Sequence, residues 1–184
     1  LEKNSFIGIV GKTGSGKTTL IKLLLRLYEI DDGEINIGGH SIDRISLKSL
    51  RNNIALVSQE TFLFDGTIRD NIAYPEKNVS DEMIQNAANL SQCEEFISGL
   101  EEGYNTLIGE RGQKLSVGQK QRISIARAII KDPSIIVFDE ILAYNQYPGE
   151  ALALRDCSYK KNLFSRSKSH KVCGASIFEY QSNP

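Results

Sequence analysis

The stretch "GKTGSGKTT", residues 11–19, limits what this chain can fold into more than any other. It follows "SFIGIV", a short apolar run that reads as a buried strand, and precedes a segment whose apolar residues recur at helical spacing. Within it Gly11, Gly14, Gly16, Lys17 and Thr18 form the pattern GxxGxGKT. Glycines let backbone N–H groups close around phosphate oxygens, and the start of the helix adds partial positive charge. Lys17 can then reach the β- and γ-phosphates, and the Thr18 hydroxyl can hold Mg²⁺. The whole loop, Gly11, Lys12, Thr13, Gly14, Ser15, Gly16, Lys17, Thr18 and Thr19, is the candidate phosphate-binding site.

The remaining elements follow from pattern. Leu20, Leu24, Leu27 and Tyr28, with Ile21 and Leu25 beside them, predict a helix that runs until Asp31-Asp32-Gly33 stops it. "EINIGG" and "NIALVSQE" read as two further strands. From Thr67 to about Gly99 the composition is helical, broken at Tyr74-Pro75 and again near Ser91. "GYNTLIGERGQK" is a glycine-bearing loop, "SVGQKQRISIARAIIK" a helix and "SIIVFDE" a last buried strand. Strands alternating with helices imply a parallel α/β sheet, here with a helical insertion over about residues 67–130.

Two further motifs bear on chemistry. The strand "IIVFDE" ends in Asp139, which can place a carboxylate beside the metal held by Thr18, and Glu140 can orient or deprotonate an attacking water. In "LSVGQKQR", residues 115–122, Ser116 and Gln119 have capping-box spacing at a helix start. The same geometry makes an anion site, with a serine hydroxyl and a free glycine N–H at a positive helix end.

The bulk properties exclude several classes. A chain of 184 residues with 40% hydrophobic content suits one domain, or an incomplete copy of a slightly larger one. Residues 1–140 carry 16 basic and 20 acidic side chains, and residues 141–184 carry 6 and 3. Neither part has the basic stripe of a nucleic-acid surface. Cys93, Cys157 and Cys173 show no CxxC spacing and no paired framework, so a reducing compartment is expected. No run of about 18 apolar residues suggests a membrane span. The chain starts at Leu1 rather than Met and enters a strand almost at once, from which a missing upstream part is expected.

Taken together, the phosphate loop, "LSVGQ" and "IIVFDE" resemble the nucleotide-binding domain of ATP-binding-cassette (ABC) transporters, in the same order and at about the same spacing, over residues 1–140. The resemblance implies a P-loop NTPase of the ABC-ATPase type, a RecA-like α/β core with a helical subdomain, here incomplete. It implies ATP and Mg²⁺, and a head-to-tail dimer in which each ATP lies between the phosphate loop of one domain and the signature of the other. Leu115, Ser116, Gly118 and Gln119 would contribute to that site in trans. "VSQE" matches the family's Q-loop, which makes Gln59 a link between Mg²⁺, attacking water and the membrane partner. By the same resemblance Thr18, Gln59 and Asp139 hold the metal, while Glu140, Gln59 and Lys17 carry the chemistry.

"SQETFLFDGTIRDNI" and "GERGQKLS" look like the exporter branch, which implies a transmembrane domain, in the same or a separate chain, as partner, a place on the cytoplasmic face of a membrane, and no nucleic acid. Phe62, Leu63 and Phe64 are expected to be exposed for that partner. Three departures stand out. Val117 occupies a position where the family usually has glycine. The family's adenine-stacking aromatic would lie before Leu1. After Glu140 the family's dimer-crossing loop and switch histidine are replaced by "ILAYNQ" and a stretch without apolar periodicity, in which His170 matches the histidine by distance alone. Residues 141–184 are therefore expected to be a frameshifted or misassembled tail. Two alternatives stay open: an ATP-binding module with little or no turnover, and a non-transport ABC ATPase.

Overall fold

A computed structural model of the chain describes residues 6–12, 14–76, 78–139 and 173–179. These fall into two compact units, one holding the described residues up to 59 with 133–139 and 173–179, the other holding 60–132.

The first unit is a parallel sheet covered by helices. Strand β1 (Phe6–Gly11) leads through the glycine loop into α1 (Lys17–Leu24). A short hairpin, β2 (Asn36–Ile37) and β3 (His40–Ser41), turns through Gly38 and Gly39, whose φ angles of 59° and 81° suit a two-residue hairpin turn. A 3-10 turn (Ile42–Arg44), helix α2 (Leu47–Asn53) and strand β4 (Ile54–Val57) follow. Strands β5 (Ile135–Asp139) and β6 (Cys173–Glu179) complete the sheet in the order β1-β6-β5-β4, with every pairing parallel. Ile21 and Leu25 pack with Ile42, Leu50, Ile54 and Val137 into one core, so the helix after the loop rests on the strands β4 and β5.

The second unit is helical. It contains α3 (Ile68–Ala73), α4 (Asp81–Leu90), α5 (Glu94–Ile97) and α6 (Val117–Ile130). Each of α3, α4 and α6 starts on a hydroxyl cap, Thr67, Ser80 or Ser116, which accepts from a backbone N–H of the first turn. Ile68, Ile72, Ile84, Ala88, Ile123 and Ala126 meet in its core. The interruptions read at Tyr74-Pro75 and Ser91 are the ends of α3 and α4.

Five readings change. Helix α1 stops at Leu24 rather than at Asp31, because Arg26 takes a left-handed φ of 48°. Its buried face is consequently Ile21 and Leu25, and Leu20, Leu27 and Tyr28 are exposed. Only Asn36–Ile37 of "EINIGG" is extended, and it pairs antiparallel with β3 outside the main sheet. Helix α2 was not anticipated. Residues 62–64 do not share one exposure: Phe62 is 58% exposed, Leu63 is 1% exposed in the helical core, and Phe64 is half-buried against Tyr74, ring centroids 4.3 Å apart. Finally, no strand was read after residue 140, yet Cys173–Glu179 pairs with β1 on one side and β5 on the other. Those two strands present unpaired ladders to each other across one strand's width, and any extended segment satisfies them through its backbone. His170 lies outside the described residues.

Candidate functional site

The glycine loop is shaped by close approach and by left-handed backbone. A Cβ on Gly11 would stand 2.5 Å from Ser15 Oγ, so no larger residue fits there without a shift. Gly14 and Gly16 have φ of 80° and 87°, a region costly for residues with a Cβ. Gly16 is the N-cap of α1 and offers no side-chain cap, and the helix has no acidic residue in its first turn. The first amides of α1 therefore have no partner within the helix and retain their positive end. Lys17 Nζ crosses back over the loop, donating to the carbonyls of Gly11 at 2.9 Å and Lys12 at 3.0 Å. The Ser15 N–H donates to the Lys12 carbonyl at 3.1 Å and tightens the turn. Thr18 and Thr19 are exposed beside Lys17, and Thr13 lies outside the described residues.

Sheet register places two further groups at the same edge. Asp139 pairs with Ile177 of β6, and Ile177 pairs with Ile9 of β1, two residues before Gly11. Neighbouring strands lie about 4.8 Å apart, so β1 and β5 run roughly 10 Å from each other with β6 between them. Val57 pairs with Phe138, and Gln59 follows two residues beyond the end of β4, exposed. The loop, Asp139 and Gln59 thus lie at the carboxyl ends of parallel strands, where open α/β sheets bind ligands. Glu140 is outside the described residues. Among the described residues no three His, Cys, Asp or Glu side chains form a metal cluster of their own. Thr18, Asp139 and Gln59 instead offer a few hard oxygen donors, a set that suits Mg²⁺ when phosphate oxygens fill the remaining positions.

The signature segment belongs to the second unit and has the geometry its spacing predicts. Ser116 Oγ accepts from the Gln119 N–H at 3.2 Å, while Gln119 Oε1 accepts from the Ser116 N–H at 2.8 Å. The cap uses the serine oxygen as acceptor and leaves its hydroxyl proton free to donate to an anion. Leu115 and Gly118 are half-buried, and Leu115 packs on the helical core. Val117, the first residue of α6, is 67% exposed, so its branched side chain meets whatever approaches this helix end rather than its own unit.

One network had no signal in the sequence. Arg127 of α6 donates from Nε to the Asn71 carbonyl at 2.9 Å, from Nη1 to the Phe62 carbonyl at 2.9 Å and from Nη2 to Asn71 Oδ1 at 3.0 Å. Its guanidinium also lies 5.1 Å from the Phe64 ring centroid. Burial lowers its pKa. Asn71, wholly buried, returns Nδ2 to the carbonyls of Phe64 and Thr67, both at 3.0 Å. In the core of the same unit, Cys93 is buried, which pushes its thiol up to about 12 and keeps it protonated, although the Ser91 hydroxyl donates to its sulfur at 3.1 Å.

Comparison with known proteins agrees with this architecture. The sequence profile of the family described as ABC transporter matches residues 1–143. ABC transporter B family member 21 of Arabidopsis thaliana is 53% identical over 135 residues, 73% of this chain and 10% of that protein. The Toxin RTX-I translocation ATP-binding protein of Actinobacillus pleuropneumoniae is 43% identical over 156 residues, 85% of this chain and 22% of that one. The ATP-dependent lipid A-core flippase of Blochmanniella pennsylvanica is 41% identical over 174 residues, 94% and 30% of the two chains. Among solved structures, a bacterial Atm1-family ABC exporter with ATP bound superposes with a TM-score of 0.81 at 36% identity, over 98% of this chain and 30% of that chain. The chain spans between a tenth and a third of the length of these relatives. With that profile over most of its length and the glycine loop, the helical insertion and the capped α6 in place, the chain belongs to the ABC transporter family, and its likeness within the family is to exporters.

Proposed function

We propose that residues 1–140 act as the ATP-binding and ATP-hydrolysing domain of an ABC exporter, working with a transmembrane partner on the cytoplasmic face of a membrane and with a second such domain head to tail. The observation that carries this reading is the loop itself: two left-handed glycines, an uncapped helix start and Lys17 folded across them, at the sheet edge that also holds Asp139. Lys17 would exchange its two carbonyl contacts for the terminal phosphates of ATP, and the amides of Gly14 to Thr19 would cradle the same oxygens. Thr18, Asp139 and Gln59 would hold Mg²⁺, which supplies charge neutralisation on the phosphates when bound. Glu140 would take a proton from the attacking water. Ser116 and Gly118 of a second domain would close over the nucleotide. Among the described residues no helix is long and apolar enough to cross a membrane. The transmembrane partner would belong to the same chain or to a separate one.

Lys17→Ala tests the assignment. The expected result in calorimetry is a loss of at least about 100-fold in Mg-ATP affinity, since charge-assisted bonds to phosphate are among the strong ones, with an unchanged melting temperature. Equal affinity in both proteins would remove the loop from consideration.

A second reading is favoured by Val117, which presents a bulky, 67% exposed side chain at the helix end meant to approach phosphate. ATP would then be bound with little turnover. Both readings assign residues 141–184 to a non-native tail from a shifted reading frame, which the coding DNA tests directly: an ABC-like continuation in another frame supports it, and none in either frame rejects it. Steady-state phosphate release separates the two readings. A version with a family-like carboxyl-terminal third is expected to turn over ATP at least about tenfold faster, because preorganised groups around the phosphates are worth several kcal/mol of barrier. The acidic balance of residues 1–140 gives a nucleic-acid-directed ATPase no support.

A further inference from the structure

Helix α1 ends where glycine would be expected and arginine is found. The Arg26 N–H donates to the Leu23 carbonyl at 2.9 Å and the Leu27 N–H to the Lys22 carbonyl at 2.8 Å, the paired bonds of a Schellman ending. Arg26 itself holds the left-handed position at φ 48°, which strains any residue with a Cβ. Its side chain is what the strained position delivers. Nη1 donates to the carbonyls of Ile42 at 3.1 Å and Ile45 at 2.7 Å, and Nε lies 3.9 Å from Asp43 Oδ1. These acceptors belong to the 3-10 turn and the residue after it, and Ile42 is fully buried in the core beneath the sheet.

The link is reciprocated. Arg51 of α2 donates from Nε to the Leu25 carbonyl at 3.4 Å and from Nη2 to the Arg26 carbonyl at 3.3 Å. Carbonyls at a helix end have no partner inside the helix, so these bonds complete α1 from outside. Four hydrogen bonds therefore join α1 to the segment from Ile42 to Arg51, and every acceptor is main-chain. Such a link fixes where the backbone of α1 lies, not merely how its side chains pack. The other end of this helix is the phosphate loop.

The geometry points to Arg26 and Arg51 as positioning residues for that loop: together they set the place of α1 along its axis and so aim the amides after Gly14 and the Lys17 ammonium. This rests on the reading of the loop as an ATP site. Arg26 follows Gly16 by ten residues, roughly 15 Å along a helix, so neither arginine touches nucleotide.

The test uses the full chain, with a melting curve, a Mg-ATP titration and glycine-selective ¹⁵N spectra for wild type, Arg26→Gly, Arg51→Gln, Arg51→Lys and Lys17→Ala. Arg26→Gly relieves the backbone strain while removing the fork. It is expected to melt at or above the wild-type temperature and yet bind Mg-ATP about five- to tenfold more weakly, as a site loosens when its supporting contacts go. The Gly14 and Gly16 amide resonances should move in it and in Arg51→Gln, with part of the change restored in Arg51→Lys. A purely structural role would make affinity follow melting temperature. The inference is overturned if Arg26→Gly leaves the loop resonances unmoved, or binds Mg-ATP as wild type does. Failure of the ATP assignment looks different: Lys17→Ala would then bind as wild type, or wild type would not bind, while the loop resonances still report on Arg26 and Arg51 without nucleotide.

Discussion

Phe62 and Leu63 stand side by side in the chain and have opposite surroundings. Leu63 is 1% exposed and packs in the helical core, so Leu63→Ala is expected to cost about 2–5 kcal/mol, the usual range for a buried leucine. Phe62 is 58% exposed; Arg127 donates to its backbone carbonyl, which alanine keeps, and its ring meets Phe64 edge-on at 5.3 Å between centroids. Phe62→Ala should therefore cost no more than about 1 kcal/mol, the size of one edge-on ring contact. Urea unfolding of the two variants checks both numbers, and similar losses would mean that the segment is exposed or buried as one piece. Nothing in "FLF" separates these residues, since three apolar letters in a row have no period. The glycines of the loop were legible for the opposite reason: left-handed backbone favours glycine at Gly14 and Gly16, and the close approach of Ser15 favours it at Gly11.

The starts of α3 and α6 in the second unit were legible, those of α4 and α5 were not, and neither was one helix end in the first unit. Ser116 and Gln119 announce α6 by spacing alone, and the reciprocal cap forms as expected. The end of α1 carries no glycine, so apolar spacing suggested a helix longer than the one that forms, and the Arg26 side chain that stabilises the ending leaves no trace in periodicity. Helix α3 offers a test of its cap. Asp70 is held below its ordinary 3.8 chiefly by hydrogen bonds from the Thr67 hydroxyl and backbone N–H, and burial opposes them weakly. A depressed carboxylate contributes stability that is present above its unfolded pKa and lost as pH falls through the folded one. The melting temperature of wild type should thus fall more steeply than that of Asp70→Asn below pH 3.8, and parallel curves would remove the cap from the acid sensitivity.

For the molecule as a whole, the parallel α/β class and the helical insertion were readable because strand, loop and helix alternate with clear punctuation. The position of β6 was not, because backbone pairing on both sides asks nothing of side-chain pattern. Removing residues 173–184 is expected to abolish amide protection in β1 and to weaken it in β5, which keeps its pairing with β4, while α3, α4 and α6 of the other unit keep theirs. Retained protection in β1 would mean that the phosphate-loop strand is held by its helix alone. Strand β6 also sets an order in time. It is synthesised after every other described element, yet it is what joins the strand carrying the glycine loop to the strand carrying Asp139. Contacts so distant in sequence form slowly. Until they form, β1 and β5 each offer an unpaired edge to other chains, so the yield of native protein should depend on how long the nascent chain waits for its own last strand.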